Sequence, residues 1–296
     1  MCLKLDAAYV WQRLPVRRPE SNKGSYGSVT IAAGSAVYRG AAALCAEGAL
    51  RCGAGLVTLA SVEPVLAAVL ARLPECCLLP CAESADGGID AAEAPRILEK
   101  AARGSVLLAG PGLGDTAGTA ALTAAFLSQT QVPVVLDADG LNAAARLERQ
   151  TPGILRPAAA QSRILTPHPG EMARLAGSTA AEVQAARLPC AQAFARQHGC
   201  IVVLKGHDTV IAAPDGTCAL CTAGNAGLAR GGSGDVLAGM IAALLAQGLS
   251  AFDAACCGVW LHAAAADETA RRLGQYGMLP QDLFADLGAL FARSGR

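Results

Sequence analysis

From Ser28 onward, short apolar runs alternate with alanine-rich helical stretches. The runs predict strands at Ser28–Ala33, Leu56–Ala60, Ser105–Ala109, Val132–Leu136, Ile164–Thr166, Ile201–Leu204, Thr209–Ala213 and Cys218–Cys221. The alanine-rich stretches predict helices at Gly40–Arg51, Val65–Arg72, Ala92–Arg103, Ala117–Gln129, Ala180–Gln197, Asp235–Ala246 and Ala251–Leu273, with another at Gln281–Ala292 after Pro280. Such alternation implies an α/β fold, a three-layer αβα sandwich around a central, mainly parallel sheet. The Pro214-Asp215-Gly216-Thr217 turn predicts a hairpin, and with it some antiparallel pairing late in the sheet. Residues 1–22 read as an N-terminal tether, because Pro15, Pro19 and Glu20-Ser21-Asn22-Lys23 argue against a helix there. Residues 23–296 read as one domain, with no linker and no internal repeat.

Ligands of open α/β sheets bind beyond the carboxyl ends of the strands. The segments following the predicted strands are polar or glycine-rich: Gly34-Ser35, Gly110-Pro-Gly-Leu-Gly114, Asp137-Ala-Asp-Gly-Leu-Asn142, Thr166-Pro-His-Pro-Gly-Glu171, Lys205-Gly-His-Asp-Thr209, and Gly224-Asn225 leading to Gly231-Gly-Ser-Gly-Asp235. Six clusters at equivalent topological positions predict one composite site.

Composition narrows the function classes. Hydrophobic residues make up 53% of the 296-residue chain and charged residues 16%, which excludes intrinsic disorder. There are 65 alanines and 33 glycines but only 11 aromatic residues, so the core must be built from close helix–sheet contact. Lys+Arg and Asp+Glu are equal at 24 each, leaving no electrostatic footprint for nucleic acid or an anionic membrane. Neither Thr116–Leu136 nor Val236–Phe252 is apolar enough for a bilayer span, and Arg17-Arg18 precedes no apolar export segment. The expected location is cytoplasmic. The 12 cysteines sit mostly in apolar segments, and Cys218-Ala-Leu-Cys221 lacks the second pair or nearby His of a zinc site. They are expected to be reduced and to pack as small apolar residues.

Gly231-Gly-Ser-Gly-Asp235 opens a helix, and successive glycine amides at a helix start form an anion hole. An ordinary N-cap needs one polar residue rather than three glycines, so a phosphate-binding loop is the better reading. Asp235 then stands where a general base for phosphoryl transfer belongs. Gly112-Leu-Gly-Asp-Thr-Ala117 matches the dinucleotide fingerprint, with Asp137 twenty residues on. Read alone, it predicts a Rossmann oxidoreductase, but Pro111 stiffens the turn and residues 200–240 would be left without a purpose. His168 is fixed between two prolines, which suits recognition of a ligand, although a solvated loop histidine is the plain alternative. Lys205, ending an apolar strand, fits phosphate binding better than a solvated edge position. Asp137 and Asp139 fit either Mg²⁺ held through water or helix capping, and Glu171 fits either a metal-bound water or a first-turn carboxylate.

Together these motifs resemble a known family. Asn225–Gly239 resembles the anion-hole motif of the ribokinase-like superfamily, and more closely that of the ADP-dependent NAD(P)H-hydrate dehydratases. The resemblance runs from about Lys23 to the C-terminus. It includes Lys23-Gly-Ser-Tyr-Gly27, Gly40-Ala-Ala42, Gly53-Ala-Gly55, the Gly110, Asp137 and Thr166 segments, and Leu204-Lys-Gly206. Asn22 stands where the family commonly has His, Ala226 and Ser233 replace a usual Pro and Thr, and Arg230 adds a charge beside the loop.

The resemblance implies repair of hydrated NADH and NADPH, S epimer, by phosphorylation of the ring hydroxyl and elimination of phosphate, with ADP converted to AMP. It implies substrate contacts at Ala41, Gly112, His168 and Asp235, with Asp235 also the base. Nucleotide contacts would come from Lys205, Gly206, His207, Asp208 and Thr209 and from Gly231, Gly232, Ser233 and Gly234, with Mg²⁺ as the expected ion. ADP against ATP stays open. An alcohol kinase of the same superfamily would stop at a stable phosphate ester, and a non-catalytic nucleotide sensor could dispense with Asp235. Self-association through alanine-rich helices is expected. So is a separate epimerase, since about 22 residues before the motif region leave no room for one.

Overall fold

A computed structural model describes residues 2–158 and 161–296. Its strands are β1 (Leu3–Lys4), β2 (Ser28–Ala32), β3 (Leu56–Ser61), β4 (Cys77–Pro80), β5 (Val106–Ala109), β6 (Val134–Leu136), β7 (Arg163–Leu165), β8 (Ile201–Leu204), β9 (Thr209–Ala212) and β10 (Cys218–Cys221). They form one ten-stranded sheet in the order β1-β10-β9-β8-β7-β6-β5-β2-β3-β4. Every pairing is parallel except those of β9, which runs against β8 and β10. The expected hairpin is there, with Cys218 opposite Ala212.

The helices are α1 (Ala7–Arg13), α2 (Arg39–Arg51), α3 (Glu63–Leu70), α4 (Ala94–Ala102), α5 (Ala117–Gln129), α6 (Ala138–Gln150), α7 (Pro169–Ala176), α8 (Ala180–Ala185), α9 (Arg187–His198), α10 (Ser233–Ala246), α11 (Ala251–Gly277) and α12 (Leu283–Arg293). Helices α4 to α8 pack one on the next in a single layer, while α10 packs on α2 and α11 in the other. The central strands between them are buried on both faces, β5, β6 and β8 throughout, while the edge strands β1 and β4 are largely exposed. No helix of the described residues is long and apolar enough to cross a membrane.

The small-residue composition has a definite purpose. At the crossing of α2 and α10, a Cβ added to Gly239 would fall 2.1 Å from the Cys45 carbonyl oxygen. One added to Gly48 would fall 2.6 Å from the Val236 carbonyl oxygen. No side chain fits between the two backbones, so α10 lies directly on α2. Nine of the cysteines are buried and all 12 are free thiols, as expected of apolar filling.

Three expectations need correction. Residues 1–22 are not a tether: β1 extends the sheet beside β10, and α1 is capped by Asp6, whose carboxylate accepts from the Tyr9 amide at 2.8 Å. Val10 is fully buried, Trp11 packs edge-on against Trp260 at 5.7 Å, and Arg13 pairs with Asp253 at 2.7 Å. Pro15 and Pro19 follow this helix instead of preventing it. The single helix expected over Ala180–Gln197 is two, α8 and α9, because Pro189 can neither donate to nor pack over the carbonyl of Ala185. Strand β4 was hidden by Pro80, which an edge strand accommodates.

Candidate functional site

The carboxyl ends of β2, β5, β6, β7, β8 and β10, and the start of β9, share one edge of the sheet. A chain of contacts links the segments that leave it. Gly112, after β5, sits so close to α2 that an added Cβ would lie 2.9 Å from the Ala41 methyl and 2.8 Å from the Tyr38 carbonyl oxygen. Gly110 abuts the Asp137 carbonyl, and Asp139 accepts from the Gly114 amide at 2.8 Å. At the end of β6, the buried Asp137 carboxylate accepts from Thr166 Oγ1 at 2.8 Å and from Lys205 Nζ at 2.7 Å. An added Cβ on Gly234 would lie 3.2 Å from Lys205 Nζ and 3.5 Å from Asp137 Oδ2. The ring closes at Gly232, where such an atom would meet Leu44 of α2 at 2.6 Å. Ala41, Gly112, Lys205, Gly232 and Gly234 are therefore brought together around Asp137.

The glycine loop begins helix α10 as the sequence suggested, with one change. Gly232, in left-handed backbone at φ 96°, is the N-cap, so Asp235 lies inside the first turn and does not cap the helix. With no side chain at the cap, the Gly234 and Asp235 amides in the first turn of α10 have no acceptor among the described residues and are available to an anion, while the Ser233 amide donates to the Arg230 carbonyl at 3.3 Å. Burial, reinforced by the negative charge of Asp137, pushes the Asp235 carboxyl up to about 7, and Lys205 opposes that rise. A carboxyl poised there can take a proton near neutral pH. Ser233 Oγ is buried and has no hydrogen-bond partner among the described residues. Arg230, in front of the loop, donates to the Tyr276 carbonyl at 3.0 Å.

His168 caps α7, its Nδ1 accepting from the Gly170 amide at 3.0 Å and the Glu171 amide at 3.4 Å. This capping box fixes the ring more directly than the flanking prolines do. Amides aimed at Nδ1 leave the proton on Nε2, and burial together with Lys205 and Arg174 lowers the ring's proton affinity. Glu171 completes the box by accepting from the His168 amide at 2.7 Å and lies 3.8 Å from Lys205 Nζ. Burial pushes its carboxyl up to about 7 although Lys205 pulls the other way. Burial of Lys205 itself is outweighed by Asp137 and Glu171, so its proton is held more tightly than usual.

Residues Lys205 to Thr209 form the turn from β8 to β9. Thr209 Oγ1 donates to the Gly206 carbonyl at 3.0 Å, and the His207 side chain is 97% exposed. Asp208 takes positive φ, and Arg187 of α9 braces the turn by donating to the carbonyls of Leu204, Lys205 and Asp208. Arg187 carried no sequence signal, nor did Asp267 of α11, which accepts from the Gly224 amide and from Asn225 Nδ2 at 2.9 Å each. Thr166 was inside a quoted motif, but its bond to Asp137 was not foreseeable. At the fingerprint-like turn Thr116 Oγ1 caps α5 by accepting from the Thr119 amide at 3.1 Å, so that amide is not free for a pyrophosphate.

Among the described residues, no group of three His, Cys, Asp or Glu side chains is placed to hold a metal ion by itself. Lys205 occupies the space between Asp137 and Glu171 that such an ion would need.

Comparison with known proteins identifies the family. A family profile for NAD(P)H-hydrate dehydratase matches residues 29–288. The ADP-dependent (S)-NAD(P)H-hydrate dehydratase of Neisseria meningitidis is 41% identical, over 85% of this chain and 80% of its own. The bifunctional NAD(P)H-hydrate repair enzyme of Moorella thermoacetica is 43% identical over 94% of this chain, which spans about half (52%) of that longer protein. The crystal structure of the Bacillus subtilis ADP/ATP-dependent NAD(P)H-hydrate dehydratase, co-crystallised with ATP and Mg²⁺, superposes with a TM-score of 0.84 at 32% identity, covering 99% of both chains. The architecture is that of ribokinase-like proteins. The chain belongs to the NAD(P)H-hydrate dehydratase family.

Proposed function

We propose that this chain returns hydrated NADH and NADPH, as the S epimer, to the reduced dinucleotides at the expense of a nucleoside diphosphate or triphosphate. The observation that carries the reading is Asp235, a carboxyl poised near neutrality in the first turn of a helix whose glycine-flanked start faces Lys205. Hydroxide is a poor leaving group near neutral pH, and converting the ring hydroxyl to a phosphate ester removes that obstacle. Asp235 accepts the hydroxyl proton, and the freed oxygen attacks the terminal phosphorus of the nucleotide. The bond from that phosphorus to the bridging oxygen breaks, and ADP leaves AMP. The amides of the Gly231–Gly234 loop receive the developing negative charge. Loss of phosphate with the C–O bonding pair, and of a ring proton, restores the double bond.

Lys205 and the turn through Thr209 hold the nucleotide, while Ala41, Gly112 and His168 line the dinucleotide side. A magnesium ion would be carried by the nucleotide phosphates, since Lys205 fills the space between Asp137 and Glu171. Such an ion supplies charge neutralisation to the phosphates. The S preference in the name of the Neisseria relative supports a role for a separate epimerase that supplies this epimer.

The test is recovery of NADH absorbance from hydrated NADH with Mg²⁺ and either ADP or ATP. Stoichiometric AMP and phosphate with ADP are expected. A stable phosphate ester without NADH would make the protein an alcohol kinase.

A further inference from the structure

Two of the segments that carry the family resemblance, Lys23-Gly-Ser-Tyr-Gly27 and Gly53-Ala-Gly55, lie away from the candidate site. They precede β2 and β3, at the amino ends of the strands and so on the opposite edge of the sheet. A Cβ added to Gly55 would fall 1.7 Å from the Lys23 carbonyl oxygen, and one added to Gly27 would fall 1.9 Å from the Ala246 carbonyl oxygen at the end of α10. Beside this tight seam are two hollows that share Arg17. Helix α10 runs from the glycine loop to the larger one, about 20 Å at 1.5 Å per residue, so a molecule held there is clear of the candidate site.

The larger hollow, about 450 Å³, is of the size that takes a small molecule. Its apolar lining comes from Leu244 of α10 and from Phe284 and Phe291 of α12, and Arg17, Arg51 and Arg296 add three cations. The smaller hollow, about 360 Å³, adds Lys23 beside Arg17. Among the described residues, no Asp or Glu side chain lines either one. Arg17 donates to the Gly53 carbonyl at 2.6 Å, and its guanidinium lies 4.0 Å from the centre of the Tyr26 ring. Arg296 donates to the carbonyls of Leu14 and Trp11 at 3.0 and 2.6 Å. These contacts fix both guanidinium groups without cancelling their charge. Gly288, inside α12, lines the larger hollow too, and a Cβ added there would meet nothing within 4 Å. Glycine inside a helix is less stable than alanine, and no close approach requires one here. Its missing side chain leaves the hollow open.

We propose that this hollow is a second binding site, for an amphipathic anion: a small molecule with an apolar body and one carboxylate, sulfonate or phosphate group. The body lies against Leu244, Phe284 and Phe291, and the anionic group meets Arg17, which its stack on Tyr26 holds ready. The space beside Gly288 takes the far end of the body. The inference is independent of the nucleotide reading, since none of these residues belongs to the candidate site.

The test titrates the full chain with anilinonaphthalene sulfonate, an aryl anion, and with the uncharged phenylnaphthylamine, both read by fluorescence. One saturable sulfonate site is expected, unaffected by excess ATP and Mg²⁺. Gly288→Leu places a side chain in the hollow and is expected to weaken both probes about tenfold or more, with a Tm equal to or above that of the parent. Arg17→Gln is expected to weaken the sulfonate about tenfold, roughly the weight of one charge-assisted hydrogen bond, and to leave the neutral probe unchanged. Absence of saturable binding overturns the proposal, and so does binding that neither substitution changes. Displacement of the sulfonate by ATP also overturns it, because the probe would then sit at the nucleotide loop. If the parent sediments as an oligomer that Gly288→Leu dissociates, the hollow is an interface between copies of this chain and the small-molecule reading falls. Should Gly288→Leu lower the Tm, the two titrations of Arg17→Gln decide alone.

Discussion

Lys205 and Asp137 meet at 2.7 Å although 68 residues apart, and their bond spans from β8 to β6 across β7. Asp137 is buried, whereas the Lys205 side chain keeps 20% exposure toward the site. The pair therefore has an inner, structural end and an outer end free to meet phosphate. Lys205→Met should leave a buried carboxylate without its cation, costing up to about 3–5 kcal/mol. Urea denaturation measures the loss, and nucleotide titration should show weaker binding. Unchanged values in both would reduce the pair to a surface contact.

Asp235→Asn should lower turnover by ~10²–10⁴ while nucleotide affinity changes little. Stability carries a second signature. The folded Asp235 keeps its proton up to about pH 7, against an ordinary aspartate value of 3.8. Its contribution to stability is thus present in acid and is lost as pH rises between these values. The Asn variant escapes that loss. It should match the parent near pH 4 and exceed it at pH 8 by about 1–4 kcal/mol, from ~1.4 kcal/mol for each pKa unit. A variant less stable at pH 8 would assign Asp235 a structural role.

The pH–rate profile should rise through an apparent pKa near 7, as the base ionises, and then level off. Asp137→Asn removes the negative charge that, after burial, does most to hold Asp235 protonated. The acidic limb should then move to lower pH by about one unit. A limb that stays in place would show that another group governs it.

His168 serves two purposes that substitution can separate. His168→Ala deletes both the ligand-facing ring and the cap acceptor of α7, so stability should fall by about 1 kcal/mol as the Michaelis constant for hydrated dinucleotide rises. His168→Asn keeps a cap acceptor and should recover the stability alone. Equal effects on the constants for dinucleotide and nucleotide would return His168 to a purely local role.

Gly234→Ala places a methyl group 3.2 Å from Lys205 Nζ, at the start of a helix where alanine is favoured. Turnover should drop at least tenfold with the melting temperature unchanged or higher. Gly232 is a poorer probe, since its positive φ and the Leu44 contact would strain any replacement. A normal rate for the Gly234 variant would move the phosphate site off this helix.

Much of this arrangement was legible because its signals are local. Helix α5 begins and ends at the expected residues, and β8 and β10 match theirs, since a run of apolar or alanine-rich sequence carries its own boundaries. The candidate loops were also foreseeable, because parallel strands deliver their following segments to one edge. What escaped depended on partners distant in sequence. Strand β1 is only Leu3–Lys4 and exists through pairing with β10. The expected helices do not include α6 and α7, although Asp137 and Glu171 suit the start of a helix. The bonds of Thr166, Arg187 and Asp267 join segments that no local pattern connects.

The pairing of β1 with β10 has a consequence for assembly. Nearly the whole sheet is synthesised between these two strands, so β1 has no neighbour until Cys218–Cys221 has been made. The β8–β9–β10 meander forms from chain neighbours, a low-contact-order unit that can zip quickly. Closure of the β1 edge must wait for it, and the docking of α1 on α11 waits longer still. The segment nearest the amino end is thus a late clasp on the β10 edge of the sheet.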